Sequence, residues 1–181
     1  MEGHETAPAR NPWASFWVVA CGVFVVYLDV MIVNVAFPSM LQSFDGVTLA
    51  QLSWVLNAYA IGFAALLVPA GRLADRIGRK RGFLIGMGLF TLASIACGAA
   101  PSVGLLIAAR VVQSAGAAIM IPSSLALLLA SFPPHQRVSA IGSWAAIAAF
   151  AAALGPSVGG VLVESAWRWG FPAVLSSCSC C

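Results

Sequence analysis

Three polar side chains lie inside long apolar runs of this sequence, and they are the residues best able to do chemistry. Asp29 lies in YLDVMIVNVAFP, and Arg110 and Gln113 lie in LLIAARVVQSAGAA. An ionisable group in an apolar helix is costly to bury, so we expect it to face a bundle interior or a wet cavity rather than lipid. Close to a buried cation, a carboxylate is pushed toward its ionised form by the cation and toward its neutral form by burial. Such a group can bind and release a proton as water access changes.

The elements that position these residues are membrane-spanning helices. The chain has 181 residues, of which 61% are hydrophobic and 8% charged, whereas a soluble domain is about 25% charged. Apolar segments of about 20 residues are long enough to cross a bilayer as helices. The sequence therefore predicts an all-α membrane protein with five spans: Phe16–Phe37, Leu52–Ala70, Phe83–Ala100, Gly104–Ala130 and Val138–Val163.

The positive charges predict the orientation, because cytoplasmic loops of membrane proteins carry an excess of Lys and Arg. Seven positive residues fall on one side of the predicted membrane, and only Arg168 falls on the other. We therefore predict a cytoplasmic tail over residues 1–15, a helical bundle over 16–163 and an outer segment over 164–181. The seven are Arg10, Arg72, Arg76, Arg79, Lys80, Arg81 and Arg137.

Helix geometry places Asp29 and Arg110 at a similar depth. With a rise of 1.5 Å per residue, Asp29 lies roughly 20 Å from the cytoplasmic start of its span, and Arg110 lies roughly 9 Å from the opposite side. A shared polar layer follows, although depth alone leaves contact between the two residues open. Asn34 points away from Asp29 on the same helix, and we interpret it as a helix–helix hydrogen-bonding residue.

Two glycine-containing segments stand out for their spacing. GRLADRIGRKRG, residues Gly71–Gly82 and hereafter the basic segment, has glycines that permit a tight helix–loop–helix. Asp75 lies where it could pair with a neighbouring Arg or bind a helix N-terminus. In ALGPSVGG, Gly155 and Gly159 share a helix face that Gly160 widens, so another helix can approach closely, and Pro156 favours a kink. Static packing and a gating hinge both remain open for this face.

Four motifs in order resemble signatures of the major facilitator superfamily. GRLADRIGRK is similar to the family's loop signature. LDVMIVNVAFP resembles the first-helix signature of its drug:proton antiporter branch, which includes fourteen-helix multidrug exporters. LLIAARVVQSAGAA resembles the fourth-helix signature and ALGPSVGG the fifth-helix antiporter signature. Met31 and Ser114 depart from the branch pattern, where Thr and Gly are usual, and this puts the substrate and the fine helix packing in doubt.

The resemblance implies the N-terminal half of a major facilitator fold and a proton-coupled exporter of drugs or other small molecules in the inner cell membrane. It implies no cofactor beyond the proton gradient. The sequence contains no metal-ligand cluster, nucleophile elbow or phosphate loop, so we expect no metal and no enzymatic activity, and because the basic cluster is confined to one loop we expect no nucleic acid as a partner. It assigns Asp29, Arg110 and Gln113 to the proton and substrate pathway. It assigns a gating role to the basic segment and a conformational-switch role to the fifth-helix motif. The residues concerned are Gly71, Asp75, Arg76, Gly78, Arg79 and Lys80, and Gly155, Pro156, Gly159 and Gly160.

The end of the chain departs from the family pattern. Trp167–Phe171 resembles the family's outer segment before a sixth helix, but the PAVLSSCSCC that follows is too short and polar to span. We interpret it as a truncated or frameshifted tail, so the chain lacks the C-terminal half that facilitator-type carriers need, and we predict that it does not transport by itself. Two alternatives remain: an uptake permease for another solute, and a non-transporting scaffold that associates with a full-length carrier.

Overall fold

A computed structural model describes residues 12–43 and 46–166, and within them five long helices dominate. All five are long and apolar enough to cross a membrane. The prediction of five spans in an all-helical protein is confirmed. The helices are α1 (Pro12–Ser43), α2 (Leu49–Ile77), α3 (Arg79–Gly98), α4 (Val103–Ser131) and α5 (Arg137–Ala166), with a short 3-10 turn at Pro134–Gln136 before α5.

Local signals fix where two of these helices begin. Thr48 caps α2: its hydroxyl accepts from the Gln51 backbone N–H at 3.3 Å, and the Gln51 side chain accepts from the Thr48 N–H at 3.0 Å. Ser102 caps α4 by accepting from the Leu105 N–H at 3.4 Å. Such caps satisfy backbone donors that have no partner in the first turn.

Helix α4 is the centre of the bundle. It packs against α3 and α2 most extensively and against α1 as well, and α1 in turn carries α5. Three apolar layers follow one another along the bundle. One surrounds Met40, Leu52 and Leu106, the next Phe83, Phe90 and Met120, and the last Phe16, Leu128 and Phe132.

The α3–α4 crossing depends on Gly86 and Gly116. A Cβ at Gly116 would lie 2.6 Å from the Phe90 backbone nitrogen, and one at Gly86 would lie 2.8 Å from the Gly116 carbonyl oxygen. Small residues let membrane helices approach this closely. The contact brings α3 against the central helix, and α4 carries Arg110.

Two helices run past the ends of their predicted spans, Phe37 and Ala70, so the prediction that these spans end there is wrong. Residues from Pro38 to Ser43 continue α1, and residues from Gly71 to Ile77 continue α2, so the basic segment is a break at Gly78 between two helices rather than a loop. A hydropathy pattern ends where apolar side chains end, but a helix keeps its internal backbone hydrogen bonds beyond that point. Proline is tolerated within such helices because neighbouring groups satisfy the freed carbonyl.

Candidate functional site: a buried polar cluster

Asp29 and Arg110 form an ion pair inside the bundle. The Arg110 Nη1 atom donates to the Asp29 Oδ2 atom at 2.7 Å, and each side chain is 1% exposed. α1 supplies the carboxylate and α4 the guanidinium. This ion pair resolves the question of contact that depth alone left open.

Gln113 connects the two charged residues. Its Oε1 accepts from Arg110 Nη1 at 2.5 Å, and its Nε2 donates to Asp29 Oδ1 at 3.0 Å. One turn of α4 places Gln113 beside Arg110, since residues three apart share a helix face. Both carboxylate oxygens of Asp29 are therefore bonded, which offsets part of the cost of burying the charge. The Cys97 thiol of α3 contacts Gln113 Oε1 at 3.8 Å.

Tyr59 of α2 completes the surroundings of Arg110. The guanidinium carbon Cζ lies 4.8 Å from the centre of the tyrosine ring, which is within the range of a cation–π contact. Four helices therefore converge on this cluster, which we call the polar cluster: Asp29, Tyr59, Cys97, Arg110 and Gln113. It lies where the layer around Leu106 meets the layer around Met120.

Sequence reasoning named three members of the polar cluster and missed Tyr59 and Cys97. A signal for Tyr59 exists, because Leu52, Val55 and Tyr59 recur at helical spacing and are all buried. That pattern marks the inner face of α2, but it does not say which helix the face meets. Cys97 belongs to a run that reads as ordinary core.

Two further polar residues, Asn34 and Ser114, form hydrogen bonds within their own helices. Asn34 was interpreted as a bond between helices, and this is wrong: its side chain is exposed, and its Nδ2 donates to the Val30 carbonyl of its own helix at 2.7 Å. An Asn amide can reach the carbonyl one turn back in the same helix. Ser114 is buried and donates to the Val111 carbonyl at 2.7 Å, and its Oγ occupies the space beside Gly62 that a Cβ there would need.

The basic segment has a different setting from the polar cluster. Asp75, Arg76, Arg79 and Lys80 are all exposed. Asp75 forms no salt bridge with a described residue, and the N-terminus of α3 has no side-chain cap, so neither contact expected for Asp75 is present in the described part of the chain. These charges lie where α2 ends and α3 begins, and none of them belongs to the three apolar layers. Arg79 Nη1 donates to the Ala126 carbonyl of α4 at 3.3 Å.

Two glycines of the fifth-helix motif meet α1. A Cβ at Gly155 would overlap the Met31 side chain, and one at Gly159 would lie 3.2 Å from Val35 Cβ. Gly160 lies off this contact, with open space at its Cβ position, so the expectation that it widens the face is wrong. Gly160 follows Gly155 by five residues, which turns it well away from that glycine on the helix. Pro156 is exposed within α5.

The α1–α5 contact links the motif to the polar cluster. Met31, which touches Gly155, lies two residues from Asp29 on α1. A shift of α5 along its glycine face would therefore act on the helix that carries the carboxylate.

The Trp167–Phe171 motif and Cys178, Cys180 and Cys181 lie outside the described residues. Within the described residues, no group of three or more His, Cys, Asp or Glu side chains could hold a metal.

The fold and this cluster define a class of protein: a multi-pass helical membrane protein with a buried ion pair between its first and fourth spans. The family model described as Major Facilitator Superfamily matches residues 19–178. The chain belongs to this superfamily of transporters, and it is a multi-pass membrane protein.

Several similar proteins are named for drug resistance or export. The chain is 51% identical over 152 residues to the Methylenomycin A resistance protein of Streptomyces coelicolor, covering 83% of this chain and 32% of the relative. It is 47% identical over 153 residues to the Multidrug resistance protein Stp of Mycobacterium tuberculosis, covering 82% and 27%. It is 43% identical over 150 residues to the Drug efflux pump JefA of the same species, covering 81% and 29%. The chain spans about a third or less of the length of these curated relatives.

Proposed function

We propose that this chain forms part of a proton-coupled exporter of drugs or other small molecules, with the polar cluster as its proton site and part of its substrate pathway. The observation that carries the proposal is the pairing of Asp29 with Arg110, both 1% exposed, within a bundle of membrane-spanning helices. A buried carboxylate beside a buried cation is retained at a cost in insertion energy, and such residues mark ion and proton paths in membrane proteins.

Proton exchange at Asp29 would change the forces within the cluster. The ionised carboxylate attracts Arg110 and holds α1 to α4, whereas the protonated acid loses that attraction. Because α5 packs on α1 through Gly155 and Gly159, a loosened α1 could move against α5 along a face with small side chains. This gives proton binding a mechanical consequence, as alternating access requires.

We further propose an orientation of the chain in the membrane, the membrane that holds it and the energy source for transport. The basic segment and the start of α1 lie on the side of the positive charges, which we assign to the cytoplasm of a cell inner membrane. The energy source is the proton gradient, without a cofactor and without enzymatic chemistry. Names of relatives such as Methylenomycin A resistance protein support small organic molecules as substrates.

Export needs more helices than these residues supply. Facilitator-type carriers bind substrate between two membrane halves and rock one half against the other. The chain matches only 27–33% of the length of relatives named for resistance or efflux. We propose that its working partner is the C-terminal half of such a carrier, which Asp75 and the exposed arginines of the basic segment would contact, and that the 181 residues alone do not transport.

A chimera tests this proposal. Residues 1–166 replace the matching region of the Streptomyces coelicolor methylenomycin A resistance protein, and methylenomycin A transport is measured in everted vesicles under an imposed pH gradient. We expect the chimera to move the compound in the export direction and the 181-residue chain alone to give no transport. The unmodified relative is the control. An inserted chimera without pH-driven export would contradict the proposal, and movement in the uptake direction would favour the permease alternative. Export by the isolated chain would overturn the requirement for further helices.

A further inference from the structure

The polar cluster contains an aromatic ring that no motif assigned to it. Tyr59 is 8% exposed, and its ring faces the Arg110 guanidinium with 4.8 Å between Cζ and the ring centre. The other contacts of that guanidinium shown above come from a carboxylate and an amide. Tyr59 is thus a neighbour of Arg110 whose attraction persists when Asp29 loses its charge.

The Tyr59 ring matters most when Asp29 is neutral, because Arg110 is then without the attraction of the carboxylate. While the carboxylate is ionised, its charge offsets that of Arg110. Once Asp29 is neutral, Arg110 loses the attraction of that carboxylate, and a buried charge with less compensation is strongly unfavourable. The face of an aromatic ring attracts a cation through its quadrupole, and this attraction is strongest where water is excluded.

Tyr59 also packs through its ring, and its hydroxyl group forms no hydrogen bond with the described residues. Its ring stacks on Phe63, with 6.3 Å between ring centres and 4° between planes. Its hydroxyl group is buried and has no hydrogen-bond partner among the described residues. The ring rather than the hydroxyl therefore makes the contact with Arg110, and Phe at this position keeps that contact.

We infer that Tyr59 is a positioning residue of the polar cluster, whose ring keeps the Arg110 guanidinium in place when Asp29 is neutral. The inference rests on the proposed function in one respect, namely that Asp29 changes its protonation state during transport. The contact itself can be measured on the 181-residue chain without any transport, so the two ideas fail separately.

A double-mutant cycle tests the inference. Asp29→Asn stands in for the neutral acid, and Tyr59→Leu removes the ring. The equilibrium between folded and unfolded chain is measured in mixed micelles as the fraction of denaturing detergent rises. While the ionised carboxylate is present it offsets the guanidinium charge, so the ring contributes less in the unaltered chain. We expect Tyr59→Leu to lower the folding equilibrium constant by roughly five- to tenfold more in the Asp29→Asn background than in the unaltered chain, the difference between a compensated and a desolvated cation–π contact.

Two matched variants separate the ring contact from packing. Tyr59→Phe keeps the ring, so its effect on the folding equilibrium constant should be the same in the unaltered chain and in the Asp29→Asn background. Phe63→Leu removes the stacked ring one turn away, and the loss that it causes should be the same in the unaltered chain and in the Asp29→Asn background, that is, additive. Equal losses for Tyr59→Leu in the two backgrounds would overturn the inference, because a purely packing role predicts additivity.

A spectroscopic measurement covers the case in which the double variant does not fold. The chain has two tyrosines, and the exposed Tyr27 serves as an internal reference for ring-carbon NMR signals of labelled tyrosine. We expect the Tyr59 signal of the Asp29→Asn chain to stay distinct from that of an Arg110→Leu chain, since the cation remains over the ring. A Tyr59 signal that coincides in these two variants would show that the ring loses the cation, and the inference would be wrong.

Discussion

The polar cluster and the basic segment both place charge in a chain that is 61% hydrophobic, yet their surroundings differ. In the polar cluster, Asp29 and Arg110 are buried, and both oxygens of the carboxylate are bonded. In the basic segment, Asp75 and its neighbouring arginines are exposed, with Arg79 reaching a carbonyl of α4. The opposite charges of the polar cluster pair with each other inside the described helices. The basic segment presents its charges outward, as a surface that meets solvent, lipid headgroups or another body.

Burial and exposure determine how much each group contributes to the free energy of unfolding. Burial makes every contact of the polar cluster matter, because a lost partner leaves a charge or amide without compensation. Because the charges of the basic segment are exposed, they contribute little to the stability of this chain. Substitutions in the two groups should therefore differ strongly in the free energy of unfolding, even when the chemical change is the same.

The largest difference is expected for the same substitution at the two aspartates. Asp29→Leu leaves Arg110 buried without its counter-charge and should lower the free energy of unfolding by about 3–5 kcal/mol. Asp75→Leu should change it little, because that carboxylate is exposed. Detergent-unfolding curves of both variants measure the difference. The double variant Asp29→Leu/Arg110→Leu should recover much of the loss, and a double variant no more stable than Asp29→Leu would contradict a buried ion pair.

A smaller effect is expected when the charge is kept but its shape is changed. Arg110→Lys retains a cation but loses the planar guanidinium, whose Nη1 reaches both Asp29 and Gln113 while its Cζ lies over the Tyr59 ring. We expect a loss of about 1–3 kcal/mol, the usual cost of leaving a buried polar group without its bond. Arg76→Lys, in the exposed basic segment, should leave the unfolding curve unchanged. Equal behaviour of the two lysine variants would mean that the geometry at Arg110 is unimportant.

The smallest effects separate two glycines within the basic segment. Gly78 has φ 94°, a conformation that favours glycine, so Gly78→Ala should lower the free energy of unfolding by about 1 kcal/mol. Gly71 lies within α2 with only ordinary contact to Pro122, so Gly71→Ala should raise the same quantity by about 0.5–1 kcal/mol. Thermal unfolding in one detergent would resolve the opposite signs. Loss of stability in both variants would show that Gly71 is needed for close packing.

Much of this arrangement could be predicted from the sequence, because apolar length and buried charge carry direct signals. Five spans and a common depth for Asp29 and Arg110 follow from hydropathy and helix rise. The partners of each helix face do not, since a helical stripe such as Leu52, Val55 and Tyr59 says that a face is buried and not what it meets. Helix ends also escaped prediction at Pro38 and Gly71, where polar or proline residues continue a helix already held by its own hydrogen bonds. Asn34 was misassigned because its bond is local to its helix.

The proposed function depends most on one residue, because we propose that Asp29 carries the proton that drives export. The most direct test of this role is pH-driven transport of methylenomycin A by the chimera described above, with Asp29→Asn compared with His135→Asn, which changes an exposed titratable residue outside the long helices. We expect His135→Asn to transport like the unaltered chimera and Asp29→Asn to insert in the membrane to the same level but lose transport driven by the pH gradient. Undiminished pH-driven export by the Asp29→Asn chimera would contradict the account.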